Sequence, residues 1–159
     1  LSDLAVGYVI NLAVEDEFWA VRGQGAYKNG LPIRTPATDA ITIVAYEASN
    51  PAKDIPRIFP LIAQAKRTRC FGSTALDLAY LASGAISVFA TATASRAFDY
   101  AAGMLILQEA DGIITALEGT SLDHITVGLE RTVPLLASKN DATHVKALNL
   151  LSARPPAKE

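Results

Sequence analysis

The chain has 159 residues, a formal net charge of −2 and 50% hydrophobic residues, with only 19% charged. That length suits one domain able to bury about 70% of its unfolded surface, and so apolar a composition excludes wholesale disorder. No apolar run reaches the ~18 residues of a membrane span, and no Lys/Arg stripe points to nucleic acid or an anionic membrane surface.

The single Cys70 excludes an internal disulfide and a zinc knuckle, and it fits a reducing, cytoplasmic location. The chain starts at Leu1, almost inside a strand-like stretch, with no initiator Met and no signal-like segment. An upstream portion is therefore expected to be missing.

Leu4 to Val14 is apolar nearly throughout, which predicts a central strand buried on both faces. Glu15-Asp16 marks a turn, and Phe18 to Arg22 returns as an antiparallel partner, with Phe18 and Trp19 on opposite faces. Asn29-Gly30 predicts a tight type I′ hairpin. Ile41 to Tyr46 is β-branched and reads as a strand. Pro51 and Pro56 bracket the start of a helix over Ile55 to Ala65, with Ile55, Ile58, Phe59 and Ile62 as its apolar positions.

Thr68 to Phe71 is a short strand, and Gly72-Ser73 opens a helix through Ala82 with a capping hydroxyl. Gly84 ends it. Ile86 to Phe89 is a strand, Asp99 caps a helix running to Ala110, Ile113 to Thr115 and Val133 to Ala137 are strands, and Asn140 or Asp141 caps a last helix to Leu150. With no repeat and no linker, residues 1–151 form one α/β unit, and 152–159 form a short Pro-containing tail expected to be disordered.

Chemistry concentrates at two helix starts. Asp99 follows a loop of small residues, where a carboxylate either caps its own helix or turns outward to a hard cation; from pattern alone, the cap is the ordinary reading. In Arg69-Cys70-Phe71-Gly72-Ser73-Thr74 a strand runs into a helix N-terminus, whose free N–H groups and hydroxyl suit phosphate or polyol hydroxyls. An ordinary cap explains that pattern equally well. Gly23-Gln24-Gly25 is no dinucleotide fingerprint, because a hairpin rather than a helix follows it. Cys70 reads as a small core residue, His124 and His144 as surface histidines, and Lys66-Arg67 with Arg69 as a solvated helix end.

Three motifs occur together in one order: Glu17-x-x-Ala20-x-x-Gly23-x-Gly25-Ala26-x-x-Asn29-Gly30, then Arg69-x-x-Gly72-Ser73, then Phe98-Asp99-Tyr100-Ala101-Ala102-Gly103 followed by Glu109-Ala110-x-Gly112. Together they resemble the inositol monophosphatase family over most of Gly7 to Ala137, and within it the archaeal branch, whose members act on fructose 1,6-bisphosphate and inositol phosphates. The resemblance implies the C-terminal portion of a layered α-β sandwich of the sugar-phosphatase type, with a mixed sheet and flanking helices. It implies Mg²⁺-dependent hydrolysis of a sugar or polyol phosphomonoester, with Asp99 as the catalytic carboxylate and metal ligand. Gly72, Ser73 and Thr74 would line the substrate pocket, and Arg96 would reach the sugar or a distal phosphate. A homodimer is expected, with a small phosphomonoester and the missing N-terminal portion of the same protein as partners.

The departures are specific. The Glu and the Asp-Pro-Ile/Leu-Asp-Gly-Thr run that hold most of the family's metals are not in this chain, so it carries one metal ligand of several and is expected to be inactive alone. Phe98 replaces the usual Trp, and Ala92 stands near a position where animal members place a substrate-binding Glu. Asp111 replaces a Gly and tolerates a left-handed turn. The alternative reading is a non-catalytic partner or regulatory module on the same fold. The residues encoded just upstream of Leu1 would separate the two.

Overall fold

The structure, a computed structural model, describes residues 1–153. Thirteen elements follow in chain order: β1 Val6–Asn11, β2 Asp16–Val21, β3 Ala26–Lys28, β4 Leu31–Ile33, β5 Ile43–Glu47, α1 Pro51–Gln64, β6 Arg67–Arg69, α2 Thr74–Ala82, β7 Val88–Thr91, α3 Ala97–Glu109, β8 Ile113–Ala116, β9 Leu135–Ser138 and α4 Asp141–Ser152. The helix α4 takes in Ser152, and residues 154–159 of the expected tail lie outside the described residues.

Two sheets form. The first is an antiparallel meander, β1-β2-β3-β4; the second has the order β6-β5-β7-β9-β8, with β5 parallel to β6 and β7 while β9 runs antiparallel to β7 and β8. Helices α2 and α3 lie between the sheets and share one core with the inner face of the meander, while α1 and α4 cover the far side of the mixed sheet over a second core. The layered α-β sandwich is therefore present.

The helix α3 explains this arrangement. Tyr100, Met104, Leu105, Ile106 and Leu107 are all buried, so α3 is apolar around its circumference and must be enclosed on every side. Each such large side chain contributes roughly 1.5–3 kcal/mol by leaving water. Its small residues set the distances. A Cβ on Gly103 would lie 2.8 Å from Leu78 Cβ of α2, and one on Gly7 would lie 2.6 Å from the Ala102 carbonyl oxygen. The Ala-Ala-Gly run thus serves close approach between backbones.

The glycine and Glu109 motifs meet as well. The Gly23 and Gly25 N–H groups donate to the two oxygens of the Glu109 carboxylate at 2.8 and 2.9 Å, tying the β2–β3 turn to the end of α3. Asn29 and Gly30 both have positive φ (50° and 77°) in the β3–β4 hairpin, as expected of the Asn-Gly pair. Asp111 adopts φ 66°, the left-handed turn its side chain tolerates.

Several expectations need correction. Strand β1 is an edge strand buried on one face only: Val6, Tyr8 and Ile10 point outward, and Trp19 stacks on Tyr27 on the same outer face at 4.1 Å between centroids. Helix α1 begins four residues earlier than the apolar spacing suggested, with Pro51 in its first turn, and Phe59 is exposed. Cys70 is exposed, because it follows a three-residue edge strand with no layer over it. His144 is buried, bonded to Thr115 Oγ1 at 3.1 Å and Ser138 Oγ at 3.2 Å. Burial lowers its pKa, and both hydroxyls come from strands that α4 covers.

The close approach of β1 to α3 is testable. Gly7→Ala should lower stability by about 1–3 kcal/mol through overpacking against backbone. Gly128→Ala adds a Cβ that meets nothing within 4 Å, and should stay within about 0.5 kcal/mol of wild type. Urea unfolding of both variants measures the difference, and equal losses would contradict the packing role of Gly7.

Candidate active site

The parallel strands β5, β6 and β7 end on one side of the mixed sheet, and the chain passes from β6 into α2 and from β7 into α3. The N-termini of two packed helices therefore converge beyond the carboxyl ends of parallel strands, where α/β folds place ligands. Gly72 there has φ 72°, which a glycine adopts without strain. Ser73 caps α2 by accepting from the Leu76 N–H at 3.4 Å, as its sequence pattern predicts, and its hydroxyl donates to no group among the described residues. Thr74, the first residue of α2, is buried and donates its hydroxyl to Glu47 Oε2 at 2.9 Å.

Asp99 does not cap α3. That helix begins at Ala97 with Arg96 at the cap position, making no side-chain capping bond, and Asp99 occupies the first turn with its carboxylate exposed. The start is fixed from outside the helix. The Ser95 N–H donates to Val133 O at 3.2 Å, the Thr132 N–H donates to Ser95 O at 2.8 Å, and the Arg131 guanidinium donates to Ala94 O at 2.7 Å. With the cap role gone, no hydrogen bond to the Asp99 carboxylate occurs among the described residues. Arg96 is exposed, with its guanidinium 5.9 Å from the Phe98 ring centroid.

Two carboxyl groups that the sequence reading passed over complete the site. Glu47 ends β5, and its pKa is raised, first by burial and further by the charge of Asp99. Asp77, in the first turn of α2, is 0% exposed. Burial, followed by the Glu47 charge, pushes its carboxyl up to about 8. Its signal was available as one Asp inside the otherwise apolar run Leu76-Asp77-Leu78-Ala79. Behind them, the Tyr80 hydroxyl donates to Asp16 Oδ2 at 3.0 Å and accepts from Asn11 Nδ2 at 2.9 Å, locking α2 to the meander, while Phe71 stacks on the Tyr80 ring.

Among the described residues no group of three or more His, Cys, Asp or Glu side chains could hold a metal ion. Asp99 offers one free hard oxygen donor, so the residues present fit one ligand of a Mg²⁺ site and not a whole one.

The sequence matches the inositol monophosphatase family profile over residues 3–152. The chain belongs to the inositol monophosphatase family. It is 31% identical over 152 residues to a fructose-1,6-bisphosphatase/inositol-1-monophosphatase of Methanothermobacter thermautotrophicus, covering 95% of this chain and 54% of that protein. It is 33% identical over 157 residues to the protein of the same name from Archaeoglobus fulgidus, covering 95% and 57%. A bifunctional NADP phosphatase/NAD kinase of Methanococcus maripaludis is 29% identical, covering 97% of this chain and 28% of that one. Among solved structures, inositol monophosphatase from Anabaena superposes with a TM-score of 0.80 at 25% identity, covering 96% of this chain and 63% of that one. The chain thus spans about half the length of the archaeal fructose-1,6-bisphosphatase/inositol-1-monophosphatases it matches.

Asp77 sets a pH dependence. Its folded pKa lies above the ordinary carboxylate value of about 3.9, so the stability tied to its protonation is fully present below about pH 4 and is lost as pH rises toward about 8. The slope in that window reaches at most about 1.4 kcal/mol per pH unit. Asp77→Asn should flatten it, as measured by unfolding midpoints from pH 5 to 9. An identical pH profile in the variant would refute the assignment.

Proposed function

We propose that the chain is part of the active site of a Mg²⁺-dependent phosphomonoesterase acting on a sugar or polyol phosphate, with fructose 1,6-bisphosphate and inositol monophosphate as the substrate class. One observation carries the reading: an exposed carboxylate, Asp99, with no intramolecular partner among the described residues, beside the open N-terminus of α2. A carboxylate left unpaired at a helix N-terminus is available to a cation, and the neighbouring N–H groups and Ser73 hydroxyl suit phosphate oxygens.

In this reading Gly72, Ser73 and Thr74 line the pocket, and Arg96 meets the sugar or a second phosphate. Asp99 supplies one oxygen to a metal whose other ligands lie outside this chain. Bound Mg²⁺ would neutralise phosphoryl charge and activate water. The chain's own residues bind and orient: Gly72 leaves the backbone open to close approach, and Ser73 donates its hydroxyl hydrogen. Thr74 and Glu47 keep the head of α2 in place. A cytoplasmic homodimer and a further portion of the same protein complete the proposal. No described helix is long and apolar enough to cross a membrane.

Four measurements test it. The purified 159-residue chain should release no phosphate from fructose 1,6-bisphosphate, inositol 1-phosphate or NADP with millimolar Mg²⁺, because one carboxylate does not fix a catalytic metal. Robust turnover would overturn the partial-site reading. Inorganic phosphate should perturb the amide resonances of Gly72, Ser73 and Thr74, and perturbations confined to other regions would overturn the pocket. Asp99→Asn should cost less than about 1 kcal/mol of stability, since it removes only a helix-dipole interaction. In a protein carrying the remaining ligands, the same change should lower turnover by orders of magnitude.

A further inference from the structure

The floor of the site carries a hydrogen-bond deficit. Glu47 Oε2 receives the Thr74 hydroxyl, whereas Glu47 Oε1 and both oxygens of Asp77 are buried and receive nothing among the described residues. The two carboxyl groups stand within hydrogen-bonding reach of each other, and Asp77 is wholly enclosed. Ionised carboxylates are acceptors only. Two of them side by side out of water would leave three acceptors unmet and two like charges in contact.

The surrounding groups do not relieve this. From β5 comes Glu47 itself, from α2 Thr74 and Asp77, and from α3 the charge of Asp99; among the described residues no cationic side chain contributes to either carboxyl. Nor does the cluster reach the ligand count of a cation site. A single proton answers most of the deficit. It makes one carboxyl a donor to the other and reduces the charge of the pair by one.

We propose that Glu47 and Asp77 hold one proton between their carboxyl groups, and that Glu47, fixed from behind in this way, positions the Thr74 hydroxyl at the head of α2. The raised pKa of Asp77 agrees with this arrangement. Both acids are positioning residues. With its hydrogen committed to Glu47, Thr74 ties the first turn of α2 to the end of β5, next to the Ser73 cap. The proton itself is a property of this chain's atoms. Only the relevance of Thr74 to a substrate rests on the phosphatase reading.

Infrared spectra of the 159-residue chain at pH 7, with and without ¹³C-labelled aspartate, test the proton without substrate or metal. Wild type should show one protonated carboxyl band that shifts with the label and is missing from Asp77→Asn. In Glu47→Gln the band should move or disappear, because both the charge and the carboxylate acceptor that favour the proton are gone. No band at pH 7, a band unmoved in Glu47→Gln, or a band abolished by millimolar Mg²⁺ would overturn the shared proton. The positioning role has its own readout. The Thr74 hydroxyl hydrogen should exchange at the wild-type rate in Asp77→Asn, whose amide still donates to Glu47, and about tenfold faster in Asp77→Ala. Equal rates in both variants would overturn the positioning role. Should Asp77→Ala not fold, wild-type exchange in Asp77→Asn must still hold, and faster exchange there overturns it. None of these results depends on turnover, so failure here leaves the phosphatase reading standing.

Discussion

The close packing of α3 against α2 and β1 sets the distances on which the site depends. Gly103 admits Leu78, and Gly7 admits the Ala102 carbonyl, at separations no Cβ would allow. Because interiors pack near crystal density, a helix brought this close has little freedom to slide. The first turns of α2 and α3 are consequently held side by side, and Thr74 and Asp99 inherit their placement from contacts made farther along each helix. Side chains at the site are thus positioned by apolar packing that contains no chemistry of its own.

Polar ties then fix what packing leaves loose. Glu109 gathers two glycine N–H groups at the far end of α3, and Asp16 gathers Tyr80, Lys28 and Asn29 where the meander meets α2. Lys28 first, with help from the Tyr80 and Asn29 hydrogen bonds, holds the Asp16 carboxyl below the usual carboxylate range. Asp77 receives no donor among the described residues and goes the opposite way. The same side-chain type is pulled down in one setting by its donors and pushed up in the other, first by burial and then by the charge of Glu47.

Elements governed by local rules were legible in the sequence. Asn29-Gly30, the Ser73 cap, the Asn140 cap and the left-handed Asp111 each depend on a side chain and its immediate backbone, and each is found where the pattern placed it. What depended on distant residues was not. The start of α3 is set by Thr132 and Val133, more than thirty residues beyond Ser95 in sequence, so Asp99 was misread as its cap. His144 is buried because Thr115 and Ser138 are brought to it by β8 and β9. The apolar run around β1 gave no indication that only one of its faces is covered. For the candidate site, the residues at the two helix starts were visible as motifs. Glu47 and Asp77 were not, since neither belongs to a motif and only the fold brings them together.

The three carboxyl groups at this sheet end differ in what each can do. Asp99 is exposed and has no partner among the described residues, so its charge remains available to a cation arriving from solvent. Glu47 is partly spent on Thr74, and its remaining oxygen is buried against Asp77. Among the described residues no group of three acidic, His or Cys side chains forms around those two, and hard cations want six or more oxygens. The ordering by depth therefore separates roles. The outermost carboxylate can serve as a ligand, while the two inner ones hold the helix start that the ligand's neighbours depend on.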